Sequence, residues 1–257
     1  MKHTDQWVAF NTILRKEIRR FLRIWPQTLL PPAITMTLYF VIFGRLIGSR
    51  VGDMGGFDYM QYIVPGLIMM SVIQNSYGNV VSSFFSHKFQ NSIEEMLVSP
   101  MSNTVILLGF VAGGVVRGIL TGSIVTLLSL FFTHLQLQHA LVTFLVVVLT
   151  ATMFSLAGLV NAVFATKFDD IAIVPTFILT PLTYLGGVFY SIDLLPDFWR
   201  GLSMANPILY MVNAFRYGVL GVSDVSVYVS LGMIFGFTVA FFSLSLWLLN
   251  RGIGVRN

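Results

Sequence analysis

Cysteine is absent from this 257-residue chain. That excludes a disulfide framework, a thiolate metal site and a cysteine nucleophile. Charge is scarce as well: 10% of the residues are charged and 56% hydrophobic, against about 25% and about 45–50% in soluble domains. The four histidines stand apart at 3, 87, 134 and 139, and no H-E-x-x-H or other His–carboxylate metal pattern occurs. There is no G-x-x-x-x-G-K-[ST] loop to cradle the phosphates of a nucleotide. No series of carboxylates runs through the apolar segments as a proton relay would require. The first 23 residues hold six basic and two acidic side chains where a cleavable signal peptide would have an apolar core. The length leaves no room for a soluble catalytic domain, so the expectation is a protein that is not an enzyme. The net charge of +4 is better explained by membrane topology than by a nucleic-acid partner.

What is present is long uncharged sequence. Ile24–Gly44, Tyr59–His87, Met96–Val116, Gly118–Thr166, Ile171–Ile192 and Val225–Asn250 contain no Asp, Glu, Lys or Arg. About 20 apolar residues cross the hydrocarbon core as a helix, and hydrocarbon offers backbone groups no hydrogen bonds, so each crossing must be helical. The expected fold is an all-α integral membrane protein in one domain, 1–257. The six spans are expected near 27–44, 59–85, 104–132, 141–165, 171–189 and 226–249. Pro26, Pro31 and Pro32 fall in the first turns of span 1, where a missing N–H costs least. If the N-terminus is cytoplasmic, that side carries Lys2, Arg15, Lys16, Arg19, Arg20, Arg23, Lys88, Lys167, Arg251 and Arg256. The other side then carries Arg45, Arg50, Arg200 and Arg216. Ten against four puts both termini inside and the 190–225 loop outside.

Before span 1, Trp7, Phe10, Leu14, Ile18, Phe21 or Leu22, and Trp25 recur every three or four residues, with basic residues on the other faces. Residues 4–25 therefore read as an amphipathic helix in the headgroup layer, drawn to anionic lipid. A helix docked on a soluble partner is the alternative.

Four features bear on function. Ser71, Asn75, Asn79 and Ser82 or Ser83 form a polar stripe along span 2. Amides are costly in lipid, so the stripe is either the wall of a translocation route or a set of interhelical hydrogen bonds. Arg117 lies some thirteen residues into span 3 and is the only charge within a span, about 20 Å deep at about 1.5 Å per residue. It needs a structural partner (a carboxylate or helix-end carbonyls) or a role in substrate handling or gating. Small residues repeat at Gly109-xxx-Gly113, Gly114-xxx-Gly118-xxx-Gly122 and Gly158-xxx-Ala162, which are close-packing ridges. Pro175, Pro181, Gly186 and Gly187 make span 5 bent or deformable. The fourth feature is the connection 88–100, in which Phe89, Ile93 and Leu97 share a spacing of four and Pro100 ends the helix. Its Glu94–Glu95 pair suits docking to a protein better than resting on an anionic membrane surface.

These features together resemble the permease subunit of ABC exporters of the second integral-membrane class. Leu179, Leu182, Leu185-Gly186, Val188 and Leu195-Pro196 are similar to the first half of that family's C-terminal signature. Pro207-Ile208-Leu209-Tyr210, followed five residues later by Arg216, is similar to the second. The runs MTLYFVIFG, YIVPGLIMMSVI, FSLAGLVNAVFA and VPTFILTPLTYLGGVFYS resemble bacterial inner-membrane permeases of the family.

The resemblance implies a homodimer of twelve spans in the bacterial inner membrane, in contact with membrane lipid. Two copies of a separate ATP-binding cassette ATPase would hold the ATP and Mg, and this chain would bind no cofactor. It also implies that 88–100 is a cytoplasmic coupling helix, with Phe89, Ile93, Glu94, Glu95, Leu97 and Pro100 receiving the ATPase's motion. Glu94, Glu95 and Pro100 loosely match the family's E-x-x-L-x-x-P-like core. Short outer re-entrant helices would precede span 6, with Pro207, Tyr210 and Arg216 at an outer gate. Asp193, Asp197 and Asp224 are the carboxylates on offer to Arg216. The translocation pathway would be lined by Ser71, Asn75, Asn79, Ser82, Pro181, Gly186 and Gly187, for an amphipathic or lipid-linked substrate. The alternative is a secondary transporter or channel that works without an ATPase. It would need coupling-ion ligands and often internal repeats, and neither is visible.

Overall fold

The computed structural model describes residues 3–254. Lys2 and Arg256, both used in the topology count, lie outside the described residues, as does the side chain of Arg45. The helices in chain order begin with α1 (His3–Arg23), α2 (Trp25–Thr28) and α3 (Leu30–Tyr39). α3 runs on as a π-helical stretch, Phe40–Ile47, into α4 (Gly48–Val51). A small hairpin follows, β1 (Asp53–Met54) against β2 (Phe57–Asp58), turned by Gly55 and Gly56 at φ +62° and +83°. Then come α5 (Tyr59–Phe89), α6 (Ser92–Val98), α7 (Asn103–Ser129) and α8 (Ala140–Phe164). α9 (Asp170–Val174) and α10 (Thr180–Leu185) are joined by a π-helical stretch, Pro175–Leu179. α11 (Asp197–Met204), α12 (Pro207–Leu220) and α13 (Val227–Arg251) complete the chain.

Boundaries follow local chemistry. Asp58 caps α5 by accepting from Met60 N at 3.1 Å, Ser102 caps α7 from Val105 N at 3.3 Å, and Asn206 caps α12 from Ile208 N at 3.0 Å, satisfying N–H groups the helix cannot. Pro207 then occupies the first turn of α12, where its missing N–H costs nothing. Asn91, with φ +58°, lets the chain reverse between α5 and α6, since asparagine tolerates the left-handed region better than most residues.

α5 is the central helix: 24 of its 31 residues are buried, and it packs chiefly against α8 and α7. Its polar stripe is therefore sheltered by protein. Four segments are long and apolar enough to cross a membrane by length and composition among the described residues: Trp25–Gly44, α7, α8 and α13. α5 is longer still but more polar, and Asp170–Leu185 is a shorter apolar helix. The span-5 region is irregular as its prolines and glycines foretell, with the π-helical stretch beginning at Pro175 and Gly187 at φ +69°.

The glycine rows on α7 serve two different neighbours. A Cβ at Gly109 or Gly113 would lie 2.6 Å from Ile13 or Glu17 of α1, whereas one at Gly118 or Gly122 would press on Ser76 or Val72 of α5. Removing side chains here is what lets both helices approach the same stretch of α7.

Two elements differ from expectation. α1 is not held by the Trp7 face, because Trp7 and Trp25 remain exposed. The buried row is Ile13–Glu17–Phe21, one turn apart, and it docks on this chain's own bundle. The helix between spans 2 and 3 is shorter than 88–100. Lys88 and Phe89 complete α5, and α6 covers only Ser92–Val98. Ser99 is extended, with ψ 160°, as a residue before proline tends to be.

Candidate functional site

The polar face of α5 meets α1 and α7 in one continuous network. Glu17 is fully buried and accepts from Ser83 Oγ at 2.7 Å. Arg20 pairs with the same carboxylate at 3.2 Å, and its guanidinium also donates to Asn79 Oδ1 at 2.8 Å and Asn79 O at 3.0 Å. One turn further along α5, Asn75 Oδ1 accepts from Arg117 of α7 at 3.3 Å. Arg117 also donates to Thr28 O at the end of α2, at 3.3 Å. Helix-end carbonyls are therefore among its partners, and a carboxylate is not. A buried carboxylate loses several kcal/mol of hydration, so Glu17 is stable here only because Arg20 and Ser83 replace water. Not every group is matched: Ser71 Oγ, Asn79 Nδ2 and Arg117 Nε are buried with no hydrogen-bond partner among the described residues.

At the α6 end, α1 is tied down twice more. Lys16 Nζ contacts His87 Nε2. His87 Nδ1 lies 2.8 Å from Ser83 O, which can only accept, so Nδ1 carries the proton and Nε2 is free to accept from Lys16. At the start of α1, Gln6 Oε1 accepts from Ser102 N at 3.1 Å and from Ser102 Oγ at 3.3 Å, while its amide donates to Pro100 O at 3.4 Å. Gln6 thus clamps α1 to the segment that leaves α6.

α6 has distinct faces. Ile93 is buried and Leu97 packs on the core, which anchors the helix. Glu95, Val98 and Pro100 face outward, and Glu94 is half-buried. Phe89, 63% exposed, packs at a tilt against Phe168 of the α8–α9 turn, ring centres 5.1 Å apart. Lys88 reaches the end of α8 and donates to Val163 O and Ala165 O at 2.6 and 2.7 Å. In the α8–α9 turn, the Thr166 N–H and hydroxyl and the Lys167 N–H hold the Asp170 carboxyl below the usual carboxylate range.

At the far end of α5 lies Arg216, completely buried on α12. It donates to Gly187 O at 2.6 Å, Tyr62 O at 3.3 Å and Asn213 Oδ1 at 3.4 Å, with its guanidinium 4.0 Å from the centre of the Tyr62 ring. None of the three candidate carboxylates pairs with it directly. Asp193 takes Arg200 instead, at 2.9 Å. Asp224 accepts from Tyr62 Oη at 3.2 Å and from Ile192 N at 3.1 Å, one step from the guanidinium. Carbonyl oxygens suit the planar fork better than one distant loop carboxylate does. Tyr210 is buried and donates to Met204 O at 2.7 Å, and Pro207 starts the helix.

The structure therefore separates the residues grouped by sequence. Ser71, Asn75 and Asn79 sit in the α1–α5–α7 network, and Ser82 is half-buried beside it, bonded to Gly78 O at 2.7 Å. Pro181 is exposed, whereas Gly186 and Gly187 are buried against Ile208 and Leu209 of α12.

The sequence of residues 8–220 matches the model of the ABC-2 type transporter family. The chain belongs to the ABC-2 type transporter family. It is the membrane permease subunit of an ABC transporter. It is 61% identical over 251 residues to the inner membrane transport permease YadH of Escherichia coli K12, covering 98% of both chains. It is also similar to Nodulation protein J of Neorhizobium galegae, 22% identical over 246 residues with 95% of this chain and 93% of that one covered. Nodulation protein J of Rhizobium leguminosarum bv. trifolii is 25% identical over 215 residues, covering 83% and 82%.

For an ABC-2 permease, the residues that sequence reading missed are as instructive as those it found. Glu17 hides among basic neighbours, and its signal is positional: it stands midway between Ile13 and Phe21 on an apolar row. Gln6 and the Thr28 carbonyl carried no signal, because Gln6 meets Pro100 and Ser102 across 94 and 96 residues and Thr28 O meets Arg117 across 89. Tyr62 meets Arg216 through the fold alone, 154 residues away in the chain.

Proposed function

We propose that this permease is one half of a homodimeric exporter in the bacterial inner membrane, driven by a separate ATP-binding cassette ATPase. α3 with its π-helical continuation, α5, α7, α8, α9–α10 and α13 form the six spans, and both termini face the cytoplasm. ATP and Mg are held by the ATPase, and this chain binds no cofactor. The basic face of α1, with Arg15, Arg19 and Arg23 exposed, rests on anionic headgroups.

α6 receives the ATPase's stroke through Phe89, Glu94, Glu95, Val98 and Pro100, while Ile93 and Leu97 fasten it to the bundle. The observation that carries this reading is the unbroken series of contacts from α6 through Gln6 to α1, and from Glu17 and Arg20 to α5. A push on α6 shifts α1, and α1 holds the polar groups of α5. Displacing Arg20 and Arg117 frees Asn79 and Asn75 to face water or substrate, which is how a sealed polar stripe becomes a pathway wall. Pro181, Gly186 and Gly187 supply the bend on the facing span, and Pro207, Tyr210 and Arg216 hold the outer end shut. α11 and α12 are the re-entrant helices of that gate. Transport is alternating access by rigid-body movement, and the mostly apolar seam suits an amphipathic or lipid-linked substrate.

The test is the double variant Glu94→Lys with Glu95→Lys, in the permease co-expressed with its ATPase. The expected result is a folded permease whose substrate no longer stimulates ATP hydrolysis. Wild-type stimulation would overturn the coupling role, and transport by this chain alone in vesicles would overturn the class of mechanism.

A further inference from the structure

A cavity of about 570 Å³ opens between α7 and α8, at the end of the bundle away from α1 and α6. Its inner wall includes Val72 of α5, Gly122 of α7, and Phe215 and Val219 of α12; Leu127 and Phe144 stand at its margin. Gly122 lets Val72 close that inner wall, since a Cβ there would lie 2.7 Å from the valine. The lining is almost wholly apolar, and two of its hydroxyls are already satisfied: Thr126 donates to Gly122 O at 2.8 Å and Thr143 to His139 O at 3.0 Å. The third hydroxyl of the lining, Ser123, is exposed on α7. Leu127 and Phe144 are 63% and 62% exposed, so the margin is continuous with the membrane-facing surface.

Along α7 the lining runs from Ile119 to Leu130, about 16 Å at about 1.5 Å per residue. That is the depth of one leaflet, half of a hydrocarbon core about 30 Å thick. The volume lies within the range of about 300–1,000 Å³ typical of small-ligand sites. Beyond the apolar stretch the 133–139 connection offers exposed Gln136, Gln138 and His139. This rim is pinned to α12, because His139 N donates to Gly218 O at 2.8 Å and its ring stacks on Tyr217 at 4.6 Å. An apolar trough one leaflet deep beneath a polar rim has the form of a phospholipid.

We infer that the α7–α8 groove is a binding site for one acyl chain of a membrane phospholipid, with its headgroup at the Gln136–His139 rim. The exposed face of α13 around Val239 offers the comparison surface. A bound chain presses on Phe215 and Val219, the residues on either side of Arg216, and so supports α12 from the membrane side.

The test uses the full-length permease in nanodiscs of phosphatidylethanolamine and phosphatidylglycerol, doped with a phosphatidylcholine that carries a diazirine midway along one acyl chain. After irradiation, labelled peptides are mapped by mass spectrometry. Labelling at 123–127 and 143–147 is expected to exceed that of the exposed α13 surface around Val239 by about tenfold, equivalent to about 1.4 kcal/mol of preference. Ser123→Phe, placed where a bulky ring fills the groove, is expected to remove that excess and leave the α13 labelling unchanged. Thr126→Phe serves as a second filler, and gel filtration confirms that each variant is folded. Equal labelling of groove and α13, absence of label from the groove, or an excess that survives both fillers would overturn the site.

Discussion

The two ends of α5 bury arginine in opposite ways. Near Tyr62, Arg216 is enclosed by two backbone carbonyls, one amide and an aromatic face. Backbone acceptors on α5 and beside Val188 are fixed in place, so this end is a rigid joint between α12, α5 and the turn after α10. Near Asn79, Arg20 and Arg117 are met mostly by side chains, and three neighbouring polar atoms lack partners among the described residues. Buried polar atoms normally find partners, so a cluster of unmatched ones marks packing that has another arrangement available. The difference teaches where an ABC-2 permease of this kind bends: α5 is locked at one end and only latched at the other.

Breaking the rigid end is expected to cost most. Arg216→Leu deprives the Gly187 and Tyr62 carbonyls of their guanidinium donor at about 1–3 kcal/mol each, while Asn213 Oδ1 keeps Asp224 N at 2.9 Å, so thermal unfolding of the purified chain should show a loss of about 3 kcal/mol or more. Arg216→Lys is expected to recover less than half of that, because an ammonium cannot fork between Gly187 O and Tyr62 O. Glu17→Leu comes next. It strands Arg20 and Ser83, and a loss of about 2–3 kcal/mol is expected from the charged hydrogen bonds removed. Transport per folded permease should fall as well, which Arg216→Lys should not produce in proportion. Arg117→Leu is milder, since its bonds are long and leucine suits the membrane. Stability should stay within about 1 kcal/mol, while transport or dimer assembly changes. Wild-type behaviour in both would show that this arginine merely reaches water. Glu95→Lys, at an exposed position of α6, is expected to leave stability unchanged within about 0.5 kcal/mol, as for surface substitutions, and to affect only the ATPase. Should the Glu17 and Arg216 variants lose stability and transport in the same ratio, the contrast between latch and joint would collapse.

Much of this was legible in the sequence because membrane helices write themselves in composition. The uncharged runs located α3, α7, α8 and α13 to within a few residues, and the glycine rows announced close packing on α7. Pro175 and Gly187 foretold an irregular segment. The polar stripe of α5 was visible too, but not what it meets. Ser83 finds Glu17 across 66 residues of chain, and Asn79 finds Arg20 across 59. No periodicity encodes such distant pairs. The apolar row of α1 is only partly its docking face: Trp7 stays exposed while Phe21 is buried, and the contact is set by the glycines at 109 and 113, against which Ile13 and Glu17 pack. Arg216 was recognised as important, but its expected carboxylate was replaced by backbone carbonyls, which every residue carries and no sequence displays.

The latch is tested most directly by distances within the complex of permease and ATPase. The chain has no cysteine, so spin labels can be placed at will by electron paramagnetic resonance design. Thr12→Cys with Glu95→Cys reports α1 against α6, and Thr12→Cys with Gln74→Cys reports α1 against α5. On binding ATP without turnover, the first distance should hold while the second changes by about 2 Å or more, the scale of known helix shifts. A fixed α1–α5 distance alongside a changing α1–α6 distance would contradict transmission through α1.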